Sequence, residues 1–262
     1  RAGHFAAQLV PMTFARVILN ADDLGYEPSV SLGIVEAMVD GIVSSTTLMV
    51  NTPYVDEAFN GARKYNLSVG LHFNLARYAP LSAPPSRLLT GHGELDEDKV
   101  TQWTTEEVEA ELNAQLDAFE KGLKLPPTHI DVHKHLHLHA NVLAAVVNVA
   151  RRRDFPVRSI NDEMRATLRQ QKVKTNDAFE GEAGDEPGWT LAKLEARLKA
   201  LPENGVVEWM CHPGYEPKQF KSGYGKQREV ERNTFVSLKA RELLEKYGVE
   251  LCSWAEAFDE RL

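Results

Sequence analysis

The amino-acid sequence predicts an α/β fold in which helices join the strands of a parallel β-sheet. Short β-branched or apolar runs alternate with longer amphipathic patterns, as is typical of β–α–β units. The chain has 262 residues, of which 43% are hydrophobic and 26% are charged, so it can bury the core of a single α/β domain. We expect one domain over residues 12–262, and we interpret residues 1–11 as a cloning remnant or a disordered tail.

Seven strands are predicted from short runs rich in β-branched or apolar residues. They cover residues 17–19, 46–50, 69–75, 128–133, 157–160, 206–211 and 249–252. The pattern leaves open whether the sheet closes on itself.

Helices are predicted between the strands from apolar spacing and capping residues. A first helix starts near Ser29 or Ser31, either of which can cap it. The clearest helix begins at Thr104, which forms a capping box with Glu107, and it is expected to end at Gly122. The other helices are expected at residues 55–64, 141–152, 191–201 and 233–246. The long connections 76–103, 161–190 and 213–232 are predicted to be loop insertions that build a site.

Composition argues against several classes of protein. The 30 Lys and Arg against 38 Asp and Glu give a net charge of −8 without a dense basic stretch, so no nucleic-acid partner is expected. Cys211 and Cys252 are too few for a disulfide framework, which predicts a reducing, cytoplasmic location. No apolar run approaches the ~18 residues that would span a membrane. Glycine-rich nucleotide-binding motifs are absent as well.

Ionisable side chains collect at the predicted carboxyl ends of four strands, the edge where parallel α/β folds bind ligands. Asp22 and Asp23 follow the first strand, and His72 lies late in the third. His133 ends the fourth strand, and His212 follows the sixth. Each alone has a structural explanation: the aspartates as a solvated turn, His72 as a core residue, and His133 as part of a polar strand face. Their shared location favours a functional site.

A metal ion would resolve the cost of two adjacent aspartates at a buried sheet edge. One Asp and two His form a facial set of three ligands, which leaves positions open for water and substrate, as in catalytic metal sites. The alternating histidines of residues 129–139 can offer one or two ligands to such an ion. Neither cysteine has a CxxC partner, which excludes a structural zinc of the cysteine type.

Five motifs together resemble those of the YdjC-like carbohydrate deacetylases, the family that includes chitooligosaccharide deacetylase. They are NADDLG at 20–25, GIVSSTT at 41–47, GLHFNL at 70–75, THIDVHKHLH at 128–137 and HPGY at 212–215. The resemblance spans nearly the whole chain. It implies a distorted (β/α) barrel of about seven parallel strands and metal-dependent removal of an acetyl group from an N-acetylated sugar.

The resemblance also implies a role for each matching residue. Asp23, His72 and His133 are implied as the ligands of one divalent ion, with Mg²⁺ and Zn²⁺ favoured. Asp22 is implied as the catalytic base. His212 fits either an acid that protonates the leaving amine or a contact that stabilises the transition state.

Other roles follow from the residues with alternatives left open. Arg158, at the end of the fifth predicted strand, is predicted to bind a substrate oxygen, with orientation of a neighbouring side chain and a surface location as alternatives. The roles of His135 and His137 are left open.

Two rival functions are a metal-dependent sugar isomerase and a non-catalytic, metal-dependent sugar-binding protein. An isomerase would usually have more carboxylate ligands or a second metal, and a binding protein would not need Asp22 beside the ligands. Asp22 therefore favours catalysis. An acetylated sugar is the expected partner, and association into a homo-oligomer is left open.

Overall fold

The computed structural model describes residues 15–258, so the predicted tail at residues 1–11 lies outside the described residues. Six strands of this part of the chain form one sheet in the order β4-β3-β2-β1-β6-β5, and all neighbouring strands are parallel. The strands are β1 (Arg16–Leu24), β2 (Ser45–Leu48), β3 (Val69–Phe73), β4 (Ile130–Val132), β5 (Ala178–Glu180) and β6 (Val206–Cys211).

Helices connect these strands and cover the sheet. They are α1 (Pro28–Val39), α2 (Val55–Tyr65), α3 (Thr105–Leu123), α4 (Ala140–Arg153), α5 (Asp162–Gln170), α6 (Leu191–Lys199), α7 (Lys226–Phe235), α8 (Leu238–Tyr247) and α9 (Trp254–Phe258). Short 3₁₀ helices occupy Ser86–Leu88, Glu97–Gln102 and His133–Leu138. Within residues 15–258, none of the helices is both long and apolar enough to cross a membrane.

The core lies on both faces of the sheet. Every residue of β2, β3, β4 and β6 is buried, as expected for parallel strands that are covered on two sides. Polar side chains inside this core are therefore costly unless they are paired, which makes the buried charges near the carboxyl edge informative.

The strands predicted at 157–160 and 249–252 are wrong. Val157 and Leu251 make only isolated bridges, with Ile130 and Val17 respectively. Beyond Val157, the backbone N–H of Ser159 donates to the Asn176 side chain at 2.7 Å, so a side chain replaces the next strand partner.

Helix α5 and strand β5 instead lie inside the segment 161–190, which was predicted to be a loop. The described residues thus form a parallel half-barrel of six strands. The predicted seven-stranded barrel is not confirmed.

The predicted capping box of Thr104 and Glu107 is confirmed, but two other helix ends differ from prediction. Helix α1 is capped by the Glu27 side chain, which accepts from two backbone N–H groups, and not by Ser29 or Ser31. Helix α3 runs past Gly122 to a left-handed residue at 124. Gly122 lets α2 and α3 pack closely, since a Cβ there would lie 2.1 Å from the ring of Phe59 on α2, which would have to move.

The helix predicted over 233–246 is in fact two helices, α7 and α8. Ser237 separates them and caps α8 by accepting from the Ala240 N–H at 3.2 Å. Helix α7 begins inside the segment 213–232, which was predicted to be a loop. This difference brings two further charged residues, Arg228 and Glu231, to the carboxyl edge of the sheet.

Candidate metal centre and active site

Asp22 and Asp23 lie near the carboxyl end of strand β1. The pairing of β1 with β2 changes register there, between Ala21 and Leu24. Asp23 has a left-handed backbone (φ 76), a conformation that Asp tolerates better than most residues. In a regular strand, adjacent side chains point to opposite faces. The irregularity lets both aspartates border the same cavity.

His72 and His133 reach this cavity from the neighbouring strands. His72 lies in β3 directly opposite Asp131 of β4, and its Nδ1 donates to Asp131 Oδ1 at 2.7 Å. This hydrogen bond turns Nε2 of His72 towards Asp23. His133 follows β4 immediately, and its Nδ1 faces the same carboxylate.

Asp23 Oδ1, His72 Nε2 and His133 Nδ1 form a nearly equilateral triangle. The oxygen lies 3.3 Å from each nitrogen, and the nitrogens are 3.1 Å apart. Ligands ~2.1 Å from one ion lie ~3.0 Å apart in an octahedron and ~3.4 Å apart in a tetrahedron. Asp23 Oδ1 is also buried without a hydrogen-bond partner. These residues therefore fit one divalent ion.

All three proposed ligands have shifted pKa values. Burial would raise the pKa of Asp23, but the charge of Arg228 helps to hold it well below its usual range. Burial disfavours the charged form of His72, but the carboxylates of Asp131 and Asp23 outweigh it and raise its pKa to about 10. Burial lowers the pKa of His133. Without a metal ion, both ring nitrogens of His72 therefore carry a proton. A metal ion can bind Nε2 only by displacing its proton.

Asp131 is a site residue to which the sequence analysis assigned no role. Besides His72, it accepts a hydrogen bond from Thr47 Oγ1 at 3.0 Å and pairs with Arg158 at 2.7 Å. Metal-binding histidines commonly donate their second N–H to such a carboxylate. The pairing of Asp131 with His72 depends on the register of β3 against β4, which the sequence alone does not show.

Asp22 is an ionised carboxylate held by two hydrogen bonds from one arginine. Arg158 Nη1 and Nη2 donate to its two oxygens at 2.6 and 2.7 Å. Burial would raise the pKa of Asp22, but the charge of Arg158 outweighs it and keeps the pKa well below the usual range. Asp22 can therefore accept a proton at neutral pH.

Arg158 is completely buried and also pairs with Asp131 and Glu208, each at 2.7 Å. The alternative of a surface location therefore does not hold. Contact with a substrate oxygen does not fit a guanidinium enclosed by three carboxylates, so its geometry favours the role of orienting Asp22. Asp22, His72 and Asp131 also have metal-like spacing, but Arg158 already holds two of these carboxylates.

His212 lines the cavity and is partly exposed; it follows β6, whose Cys211 pairs with Ala21 just before the aspartates. Its backbone N–H donates to Glu231 at 2.6 Å, and its ring packs edge-on against Tyr224 with centroids 5.5 Å apart. Burial lowers its pKa to about 4. The imidazole is thus neutral at pH 7.

One cavity of ≈ 420 Å³ brings the predicted residues together, a size typical of small-molecule sites. All predicted catalytic and metal-binding residues line it: Asp22, Asp23, His72, His133 and His212. Arg158 lies behind this wall. A slightly larger groove of ≈ 490 Å³ between α1 and α2 is lined by no histidine.

Sequence comparison assigns the chain to a family. The family model described as YdjC-like protein matches residues 16–246. The chain belongs to the YdjC-like family. A carbohydrate deacetylase of Geobacillus stearothermophilus is 34% identical over 247 residues, which is 92% of this chain and 97% of that protein. A chitooligosaccharide deacetylase of Serratia marcescens is 33% identical over 254 residues, which is 92% of this chain and 98% of that protein.

Solved structures share the fold of this chain. A crystal structure of an Enterococcus faecalis V583 protein, named for cellobiose-phosphate cleavage, is 30% identical with a TM-score of 0.82, covering 93% of this chain and 98% of that one. The CE4 domain of a xylanase from the hindgut metagenome of Trinervitermes trinervoides has a TM-score of 0.51 at 11% identity, covering 95% and 91%. The second likeness shows a shared fold. The resemblance that the five motifs predicted is confirmed.

Helix α7 of this YdjC-like protein supplies two residues that the sequence analysis missed. Arg228 Nη2 lies 2.6 Å from Asp23 Oδ2. Glu231 accepts from the His212 backbone and from the Tyr224 hydroxyl, and burial raises its pKa to about 7. A helical prediction for residues 226–235 would have placed both side chains on one helix face, three residues apart.

The histidine tract of the YdjC-like protein does not stay extended beyond His133. Lys134 and His135 both have left-handed backbones, with φ of 54 and 53, and the chain continues as a 3₁₀ helix. His135 lines the cavity, whereas His137 is fully buried. The turn at Lys134 therefore leaves only His133 of this tract at the metal-like triangle.

Proposed function

We propose that this YdjC-like protein is a metal-dependent carbohydrate deacetylase that hydrolyses the acetamido group of an N-acetylated sugar. The observation that carries the proposal is the triangle of Asp23 Oδ1, His72 Nε2 and His133 Nδ1 beside the ionised carboxylate of Asp22. Relatives named carbohydrate deacetylase and chitooligosaccharide deacetylase, which the chain matches over 92% of its length, support the assignment.

The ion would be held by Asp23, His72 and His133. A divalent ion at such a site polarises a carbonyl oxygen and lowers the pKa of a bound water, for zinc to about 7. Two nitrogen donors and one oxygen donor suit Zn²⁺, and Mg²⁺ suits the site if water oxygens complete its coordination. Zn²⁺ and Mg²⁺ are therefore the first ions to test.

Asp22 acts as the general base in this proposal. Arg158 holds both of its oxygens, which fixes the plane of the carboxylate beside the metal ligands. A carboxylate with a low pKa is a weak base. It would suffice here, because an ion held by the three ligands would make the attacking water more acidic.

His212 serves the departing amine or the transition state. Its ring lines the same cavity as Asp22, and Glu231 holds its backbone in place. A neutral imidazole can donate a hydrogen bond as it stands, and it becomes a proton donor only after protonation in the substrate complex. Comparing amide with ester substrates separates these two roles.

The two rival functions fit the site less well. An isomerase with a second metal ion would bind that ion between Asp22 and Asp131. Arg158 already occupies this position, 2.6 and 2.7 Å from their oxygens. A protein that only binds sugar would not need an ionised carboxylate fixed beside the metal ligands.

The direct test is acetate release from N-acetylglucosamine oligomers, measured on the metal-free protein and after addition of Zn²⁺ or Mg²⁺. We expect acetate only with the metal, and no change in sugar chain length. Metal-independent acetate release would contradict the metal's role. Metal-dependent binding of the oligomers without acetate release, or isomerised sugar, would favour one of the rivals. A cytoplasmic location stays a prediction, and association into a homo-oligomer stays open.

A further inference from the structure

Arg228 links helix α7 to the end of strand β1, and its side chain is fixed on several sides. The residue is 4% exposed. Its Nη2 donates to Asp23 Oδ2 at 2.6 Å, and its Nε donates to the Tyr224 carbonyl at 3.0 Å. The guanidinium also lies 5.6 Å from the ring centroid of Tyr26. The ion pair with Asp23 is therefore a buried and well-defined contact.

The two oxygens of Asp23 have different surroundings. Oδ1 lies 3.3 Å from both His72 Nε2 and His133 Nδ1 and has no hydrogen-bond partner. Oδ2 is occupied by Arg228. Carboxylates bind cations through one oxygen or through both. We propose that Arg228 is a positioning residue that keeps Asp23 a one-oxygen ligand, an inference that rests on the metal site proposed above.

A guanidinium in this position has two opposing effects on a divalent ion. It offsets the charge of Asp23 and repels the ion, so it weakens binding. Because it also occupies Oδ2, it leaves more coordination positions of the ion for water and substrate. Arg228 therefore lowers metal affinity in favour of turnover. A residue with a purely structural role would instead support both metal affinity and turnover.

Removal of Arg228 leaves few groups without a partner. Its Nη1 has no hydrogen-bond partner within the described residues. The two acceptors that would lose a donor belong to Asp23 and Tyr224, and both residues border the cavity, where water can replace the lost bond. Arg228→Met is therefore expected to fold.

The test compares Arg228→Met and Arg228→Lys with the wild type. Metal-free proteins are titrated with Co²⁺ alone, followed by calorimetry and by visible absorption, which weakens as the coordination number of Co²⁺ rises. For Arg228→Met we expect one Co²⁺ per chain, a lower Kd, weaker absorption, and a kcat on N-acetylglucosamine oligomers reduced about 10- to 100-fold with little change in KM. Arg228→Lys retains the charge, so its Kd should stay near the wild-type value while kcat still falls.

Arg232→Met is the matched control, because Arg232 lies one turn further along α7 and donates to Glu36 at 2.7 Å. It should leave Kd, absorption and kcat unchanged. Wild-type behaviour of Arg228→Met would overturn the proposal, and so would weaker Co²⁺ binding together with slower turnover. If Arg228→Met melts below the assay temperature, a wild-type kcat in Arg228→Lys overturns it. Failure of the wild type to bind Co²⁺ would contradict the metal site itself, whereas an active, Co²⁺-binding wild type with an unaffected Arg228→Met contradicts only the role of Arg228.

Discussion

Asp22 and Asp23 are adjacent in the chain and equally buried, each 2% exposed, yet their surroundings differ in kind. Both oxygens of Asp22 are held by Arg158, which lies in the interior among three carboxylates. Only one oxygen of Asp23 is held, by Arg228 at the cavity wall, and the other faces two histidines.

The difference separates two chemical roles that look identical in sequence. A carboxylate with both oxygens fixed by a guanidinium keeps its charge and orientation, which suits a base. A carboxylate with one bare oxygen 3.3 Å from two imidazole nitrogens suits a metal ligand. Their partners, and not the Asp-Asp pair itself, decide the role of each aspartate. Arg158, in the segment between α4 and α5, holds Asp22, whereas Asp23 faces neighbours from β3, from the 3₁₀ helix after β4 and from α7.

The largest expected effect comes from removing either histidine that faces Asp23. His72→Ala and His133→Ala each remove one corner of the ligand triangle, so we expect metal content to fall and acetate release to drop to background. Elemental analysis of the dialysed proteins checks the first point. Full metal occupancy in either variant would show that the ion binds elsewhere.

Substitution of Asp22, in contrast, should leave the metal ion in place. Asp22→Asn nearly preserves the shape of the side chain but removes the proton acceptor, so we expect turnover to slow by roughly 10² to 10⁴. Metal content and turnover are measured on the same sample. An unchanged rate would remove Asp22 from the mechanism, and loss of the metal would make it a ligand and erase the distinction between the two aspartates.

His212→Ala sharpens the comparison by testing the histidine that lines the same cavity as both aspartates. As an acid, His212 should matter far more for an amide than for an activated ester, because only the amine leaving group needs a proton. As a hydrogen-bond donor to the transition state, it should matter equally for both substrates. The ratio of kcat/KM values for the two substrates is the measurement, and metal content should equal that of the wild type.

The smallest effect concerns Glu208, the third carboxylate on Arg158. Burial outweighs the charge of Arg158 and raises the pKa of Glu208 from 4.5 to about 7. Between these values the folded protein holds a proton that the unfolded chain has lost, so stability falls as pH rises through this window. Relative to Glu208→Gln, the metal-free wild type should lose at most about 3 kcal/mol between pH 4.5 and 7.

Urea unfolding at several pH values checks this. Glu231, whose pKa is also raised to about 7, is present in both proteins, so it cancels in the difference. Parallel stability curves for the two proteins would mean that Glu208 keeps an ordinary pKa in the fold.

Local patterns predicted much of the fold. The bounds of β6 at Val206–Cys211 agree with prediction, and the Thr104 capping box starts α3 as expected. Such elements depend on residues close in the chain. Strand β5, helix α5 and all but the end of helix α7 were missed. Strand β5 has only three residues, and both helices are strongly polar, with few apolar residues to mark a buried face.

The candidate site was predictable as a set of residues but not as a set of contacts. Strand order follows few sequence rules, yet the carboxyl ends of parallel strands must share one edge, which is why Asp22, Asp23, His72, His133 and His212 could be grouped. The partners of these residues come from up to 205 positions away, as in the pair of Arg228 with Asp23. No local pattern reports a separation of that length.

The sequence by itself therefore determined the α/β class, most of the strands and helices, the family, and which ionisable residues gather at one edge, because these depend on short-range periodicity and on motifs. The tertiary structure decided the rest: that Arg158 is an interior partner of Asp22, that Asp131 holds His72, and that Arg228 holds Asp23. Buried charges must be paired to survive desolvation. Which partner each one finds depends on strand register and helix packing.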